Sequence, residues 1–136
     1  MADISQTAAN VTVAGTGGSI TIVQAGEAIT QGMPVYLSSG KYFKTDANGT
    51  VLTAAVVGIA MTPAALDGYF ILAGNGTKID LGATLVIGTP LVVSATAGGI
   101  APIADLATGW WVSHLGTPSA AGLVTLKLDA TGVAVP

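Results

Sequence analysis

Turn signals interrupt this chain so often that only short elements fit between them. Asn48-Gly49, Asp67-Gly68 and Asn75-Gly76 are pairs that accept positive φ and close hairpins, and Gly17-Gly18, Ser39-Gly40 and Gly98-Gly99 act similarly. Between them lie runs rich in β-branched and aromatic residues, over 19–24, 33–37, 51–60, 68–73, 84–87, 90–94, 110–115 and 123–128. Strands spaced by turns every ~8–12 residues predict an all-β chain built as a small β-barrel or sandwich. One short helical turn is expected at Thr62-Pro63-Ala64-Ala65-Leu66, with Thr62 as N-cap and Pro63 at the first helical position.

Aligning the glycines brings out an internal echo. Gly26-x-x-Ile29-x-x-Gly32-x-Pro34-Val35 recurs as Gly82-x-x-Leu85-x-x-Gly88-x-Pro90-Leu91, and the run from Thr62 is echoed from Thr117 at nearly the same offset. Two similar β-modules are therefore expected, over roughly 25–73 and 81–128, each proline opening a strand where its missing N–H is tolerated. Residues 1–18 read differently, being dominated by Ala, Thr, Asn and Gly with a joint at Gly15-Thr16-Gly17-Gly18. Two readings stand there: a flexible N-terminal arm that orders on a partner, or a first strand behind a frayed end. The first divides the chain into an arm over 1–18 and a single β domain over 19–136.

A chain of 136 residues suffices for one domain with a real core. Its charge is the unusual quantity: 8% of residues are charged, where a typical soluble domain has roughly 25%. Either Ser, Thr, Asn, Gly and Ala carry the surface, or much of it is buried against other chains. A net charge of −3 and scattered lysines (Lys41, Lys44, Lys78, Lys127) argue against nucleic acid, which needs clustered cations. The absence of cysteine removes disulfides and thiolate chemistry. A mean hydropathy of +0.72 raises the question of a membrane. The longest uncharged stretch, between Asp80 and Asp105, would break repeatedly at Gly82, Gly88, Pro90, Gly98, Gly99 and Pro102. No membrane partner is expected, and the N-terminus does not read as a secretory signal.

The residues offer little chemistry. His114 is the only histidine, so neither a paired-histidine metal site nor a Ser-His-Asp triad assembles readily, and no Gly-x-Ser-x-Gly occurs. Asp3, Glu27, Asp46, Asp67, Asp80, Asp105 and Asp129 are widely spaced and mostly beside turn residues, which is how they are read. The loop Gly15-Thr16-Gly17-Gly18-Ser19 precedes a strand-like run, so it lacks the helix N-terminus of a phosphate cradle. No catalytic, cofactor-binding or metal-binding residue is assigned. Trp110 and Trp111 are adjacent, and on a strand they point to opposite faces. One should fill the core while the other meets solvent or a partner, which makes the pair the candidate oligomer interface.

The run Ala25-Gly26-Glu27-Ala28-Ile29-Thr30-Gln31-Gly32-Met33-Pro34-Val35-Tyr36-Leu37 resembles the opening signature of the capsid decoration, or cement, proteins of tailed phages. Lys44-Thr45-Asp46-Ala47 and Val56-Val57-Gly58-Ile59-Ala60 look like that family's following turn and strand, and the similarity extends over roughly residues 22–130. The resemblance implies a β-barrel-like domain on the exterior of the virion, made in the bacterial cytoplasm and bound to the major capsid protein. It implies a homo-oligomer, a trimer before a dimer, with neither cofactor nor catalysis. The low charge departs from what a virion surface leads one to expect. Combined with the arm reading, this makes Ala2, Asp3, Ile4, Val11 and Val13 candidates for pairing with a capsid strand edge. Removing residues 2–16 should then abolish particle binding and leave the oligomer intact. The alternatives are another virion component, such as a head-fibre base or tail protein, and more remotely a carbohydrate-binding module.

Overall fold

The computed structural model describes residues 3–4, 6–15, 17–120 and 122–136. Their regular structure is almost wholly strand: β1 (Val11–Val13), β2 (Ile20–Gln24), β3 (Pro34–Ser38), β4 (Lys41–Lys44), β5 (Gly58–Ala60), β6 (Tyr69–Ala73), β7 (Lys78–Leu81), β8 (Leu91–Val93), β9 (Ile100–Pro102), β10 (Trp111–Gly116), β11 (Pro118–Ala120), β12 (Leu123–Thr125) and β13 (Asp129–Ala134). They form three antiparallel sheets, ordered β1-β7-β12-β11, β13-β10-β8-β9 and β2-β6-β5-β3-β4. The chain is all-β and sandwich-like, and no sheet closes into a barrel among the described residues.

The middle strands of the five-stranded sheet, β5 and most of β6, are buried on both faces. Along β6, Phe70 and Leu72 enter one core with Ala25, Ile29, Val35 and Ala60, while Ala73 and its partner Ile59 enter another. This follows from the two-residue period of a strand, with apolar residues at every position of Phe70-Ile71-Leu72-Ala73. A parallel bridge between Ala25 and Tyr42 draws the two edge strands together at one end, so the sheet curls around its inner core. The second, larger core gathers Ile79 and Leu81 of β7, Leu91 and Val93 of β8, Ile100 of β9, Leu115 of β10 and Val124 of β12, and so packs all three sheets together.

Val11 belongs to this larger core, at 1% exposure. β1 pairs with β7 through Val11↔Leu81, Thr12↔Asp80 and Val13↔Ile79, and the Thr7 amide donates to the Gly82 carbonyl at 2.7 Å. The flexible-arm reading is therefore corrected for the described residues Asp3, Ile4 and Gln6 to Val13, which are bound into the fold of their own chain as the first-strand reading expects. The polar composition masked a Val-Thr-Val alternation that supplies one core residue and covers the edge of β7. Ala2 lies outside the described residues.

Other expectations shift as well. Residues 62–66 form no helical turn: the Ile71 amide donates to Thr62 Oγ1 at 2.9 Å, and Ala64 bridges Ile29, so the hydroxyl ties a loop to β6 instead of capping. Short 3-10 turns occur instead at Ala8–Asn10 and Ile103–Asp105. Asn75-Gly76 lies between β6 and β7, which belong to different sheets, so it redirects the chain instead of closing a hairpin. Ser39-Gly40 does close a tight hairpin, between the paired Ser38 and Lys41. The two echoed segments share part of their geometry. Gly32 and Gly88 both have positive φ, Ile29 and Leu85 are both buried, and the order β5-β3-β4 is matched by β10-β8-β9. They part at the fourth strand, since β6 pairs with β5 whereas β12 pairs with β7 and β11.

Candidate interaction surface

Several large apolar side chains find no place in either core. Ile22 is 74% exposed, Val86 71%, Tyr69 67%, Leu66 64%, Ile87 62% and Val133 60%. Isolated exposed residues of this kind are ordinary, whereas grouped ones mark contact surfaces. Two groupings follow from the local structure. Ile20 and Ile22 share one face of β2, Ile22 stands directly opposite Ile71, and Tyr69 lies diagonally beyond it on the same face. Val86 and Ile87 form the tip of a turn in which the Thr89 amide donates to the Val86 carbonyl at 3.2 Å and Gly88 has φ +84°. Leu85, buried before them, anchors that turn and leaves the next two side chains outside.

The residues singled out from the sequence fall in different places. Asp3 Oδ1 accepts the Ser94 hydroxyl at 2.5 Å, and the Ile4 amide donates to the Ile100 carbonyl at 2.9 Å while its side chain packs on the larger core. Val11 is buried and so withdrawn from any partner, and Val13 is 42% exposed. Trp110 packs against the larger core, and Trp111 Nε1 donates to the Gly49 carbonyl at 3.3 Å. Both tryptophans are half-buried within the chain, so they are weaker interface anchors than the isoleucines and Tyr69, which alternation and composition did not single out. The signal was present: Ile20-Thr21-Ile22 places two isoleucines on one face, but only the tertiary structure shows that this part of the face is left uncovered.

Four of the acids make local contacts. Asp46 Oδ1 accepts the Asn48 amide and Asp80 Oδ1 the Gly82 amide, both at 2.8 Å, as side chains that close turns. Asp67 pairs with Lys41 at 2.6 Å and Glu27 with Lys44 at 3.7 Å, all near the surface. Among the described residues no three His, Cys, Asp or Glu side chains gather where one metal ion could be held, and no helix is long and apolar enough to cross a membrane. His114 on β10 lies opposite Asp129 of β13 and Val92 of β8. With Lys127 and Thr117 it borders a groove of about 450 Å³. A second, polar groove of about 640 Å³ is bordered by Thr7, Asn10, Thr12 and Asp80 and has no aromatic side chain in its lining. No family model matches the chain, and no curated protein matches it.

Proposed function

We propose that this chain is a structural protein that decorates the exterior of a tailed-phage head, binding the major capsid protein as a homo-oligomer and stabilising the shell. The observation that carries the reading is the conjunction of many exposed apolar side chains with only eleven charged residues (four basic and seven acidic) in 136. Covering such side chains is favourable by about 25 cal/mol per Å², less the cost of association. Neighbouring subunits are the available cover. The signature over 25–37 points to the same class, and the resemblance it carries implies a trimer. An oligomer touching several capsid subunits adds weak contacts through effective concentration, and clamping neighbours raises the barrier to their separation.

The arm does not carry attachment in this reading, because most of its candidate residues are engaged at home. Exposed turns such as Val86-Ile87 take its place as the surface offered to the capsid. The polar groove lacks the aromatic platform that a sugar-binding module needs, which disfavours that alternative. Cryo-electron microscopy of heads incubated with the purified protein tests the proposal. Density at regular positions on the shell, in hundreds of copies, is expected. Bare heads refute it, and a few copies at one vertex or on the tail point instead to a fibre base or tail component.

A further inference from the structure

Each sheet has two edges, and an unpaired edge invites another strand unless something guards it. Among the described residues, five of the six edge strands are guarded. β1, β9 and β11 have three residues each, and one outer carbonyl of each is taken: Val11 by the Gln31 side chain, Ile100 by the Ile4 amide, Pro118 by the Gly88 amide. β4 carries Lys41 and Lys44, and its Tyr42 carbonyl accepts the Gly26 amide. β13 begins with Asp129, and its register with β10 is irregular. β2 has five residues, no charge, no proline and five consecutive register pairs with β6.

The outward-facing backbone of β2 can be assigned. The Ser19 carbonyl accepts the Gly74 amide, and the Ala25 amide donates to Gly68, so odd-numbered residues bond toward β6. Ile20, Ile22 and Gln24 therefore turn their N–H and C=O groups outward. Gly26, next in that series, already donates to Tyr42, which closes the far end and leaves Ile20 and Ile22 open. Their side chains, 48% and 74% exposed, lie on one face of the sheet with Ile71 and Tyr69.

We propose that a second copy of this chain occupies that edge, β2 pairing antiparallel with β2 of the partner about a twofold axis at Thr21. In this register Ile20 opposes Ile22 of the other copy, and the two pairs exchange four backbone hydrogen bonds. The four isoleucines then form one apolar cluster across the axis. The occupant follows from charge and register. From Ile4 to Gly26 the sequence carries no charged residue, so a charged partner segment has nothing to grip, whereas the same strand reversed matches isoleucine to isoleucine with no like charges opposed. Antiparallel pairing also sets the two Lys41–Asp67 ion pairs at opposite ends of the contact. The pairing does not rest on the decoration reading, and it departs from the threefold order that the resemblance implies.

Sedimentation of the purified full chain over a wide concentration range tests the pairing. A dimer is expected. Ile22→Lys places two ammonium groups in the isoleucine cluster, and Ile22→Pro removes an outward donor without touching the bonds to β6. Each should raise the dimer dissociation constant by roughly tenfold or more while leaving circular dichroism and melting unchanged. The chain has no cysteine, so Thr21→Cys offers an independent readout: opposed non-hydrogen-bonded residues stand about 4.5 Å apart at Cα, within disulfide reach. Oxidation should crosslink Thr21→Cys and spare the exposed control Val86→Cys. A monomer at every concentration, a trimer, a dimer that persists in both Ile22 variants, or no preferential crosslink at position 21 overturns the proposal. A dimer that ignores heads would refute the decoration reading and leave this one standing.

Discussion

A methyl group added at Gly58 would meet the Ala73 carbonyl oxygen at 2.5 Å and Leu72 Cδ1 at 2.7 Å, because β5 is packed on both faces. Gly40 is held for a different reason: its φ is +81°, and nothing lies within 4 Å of an added Cβ. Gly58→Ala should therefore cost about 1–3 kcal/mol through overpacking, and Gly40→Ala roughly 1 kcal/mol through backbone conformation alone. Denaturant unfolding separates the two, since only the first strains the core. Ser39, beside Gly40, also has positive φ, at 53°, as a two-residue turn of mirror-image type requires. Ser39→Asn is expected to stabilise by roughly 0.5 kcal/mol in the same assay, asparagine being better suited to that conformation. Val11→Ala should destabilise by about 1.5–3 kcal/mol, which a side chain on a free arm would not do.

At the scale of elements, the N-terminal segment gives the sharpest contrast. A detachable arm would leave a stable, oligomeric domain when removed. In this structure β1 covers the edge of β7 and Gln6 Nε2 reaches the carbonyls of Gly32 and Leu81, so the segment ties two sheets together. Removing residues 1–14 is expected to lower the melting temperature by about 10 °C or more, measured by circular dichroism. Strand positions were partly marked in the sequence: the runs at 19–24, 33–37, 51–60, 68–73, 90–94, 110–115 and 123–128 each contain or overlap an observed strand, whereas 84–87 forms none and β1, β4, β7, β9, β11 and β13 fall outside every expected run. Turn function was less legible. Asn75-Gly76 and Ser39-Gly40 look equally suited to hairpins, yet only the second joins paired strands, because a dipeptide encodes backbone conformation and not which sheet the next strand enters.

For the whole molecule, scarcity of charge sets the response to salt. The two ion pairs observed are near the surface and screened, so moving from low to molar salt should change folding stability by less than about 1 kcal/mol in denaturant titrations. Attachment to heads, on the proposed reading, should likewise persist in high salt, and steep loss of bound protein with ionic strength would count against it. What the sequence determined by itself is local: alternation and turn chemistry specify short strands, and the lack of histidine pairs, cysteine and clustered cations narrows the available chemistry. Which edges stay open was decided only in three dimensions. The partner of a strand, the cover over Val11 and the bareness of Ile22 depend on contacts between residues distant in the chain, and a two-residue period records a face without recording what lies against it.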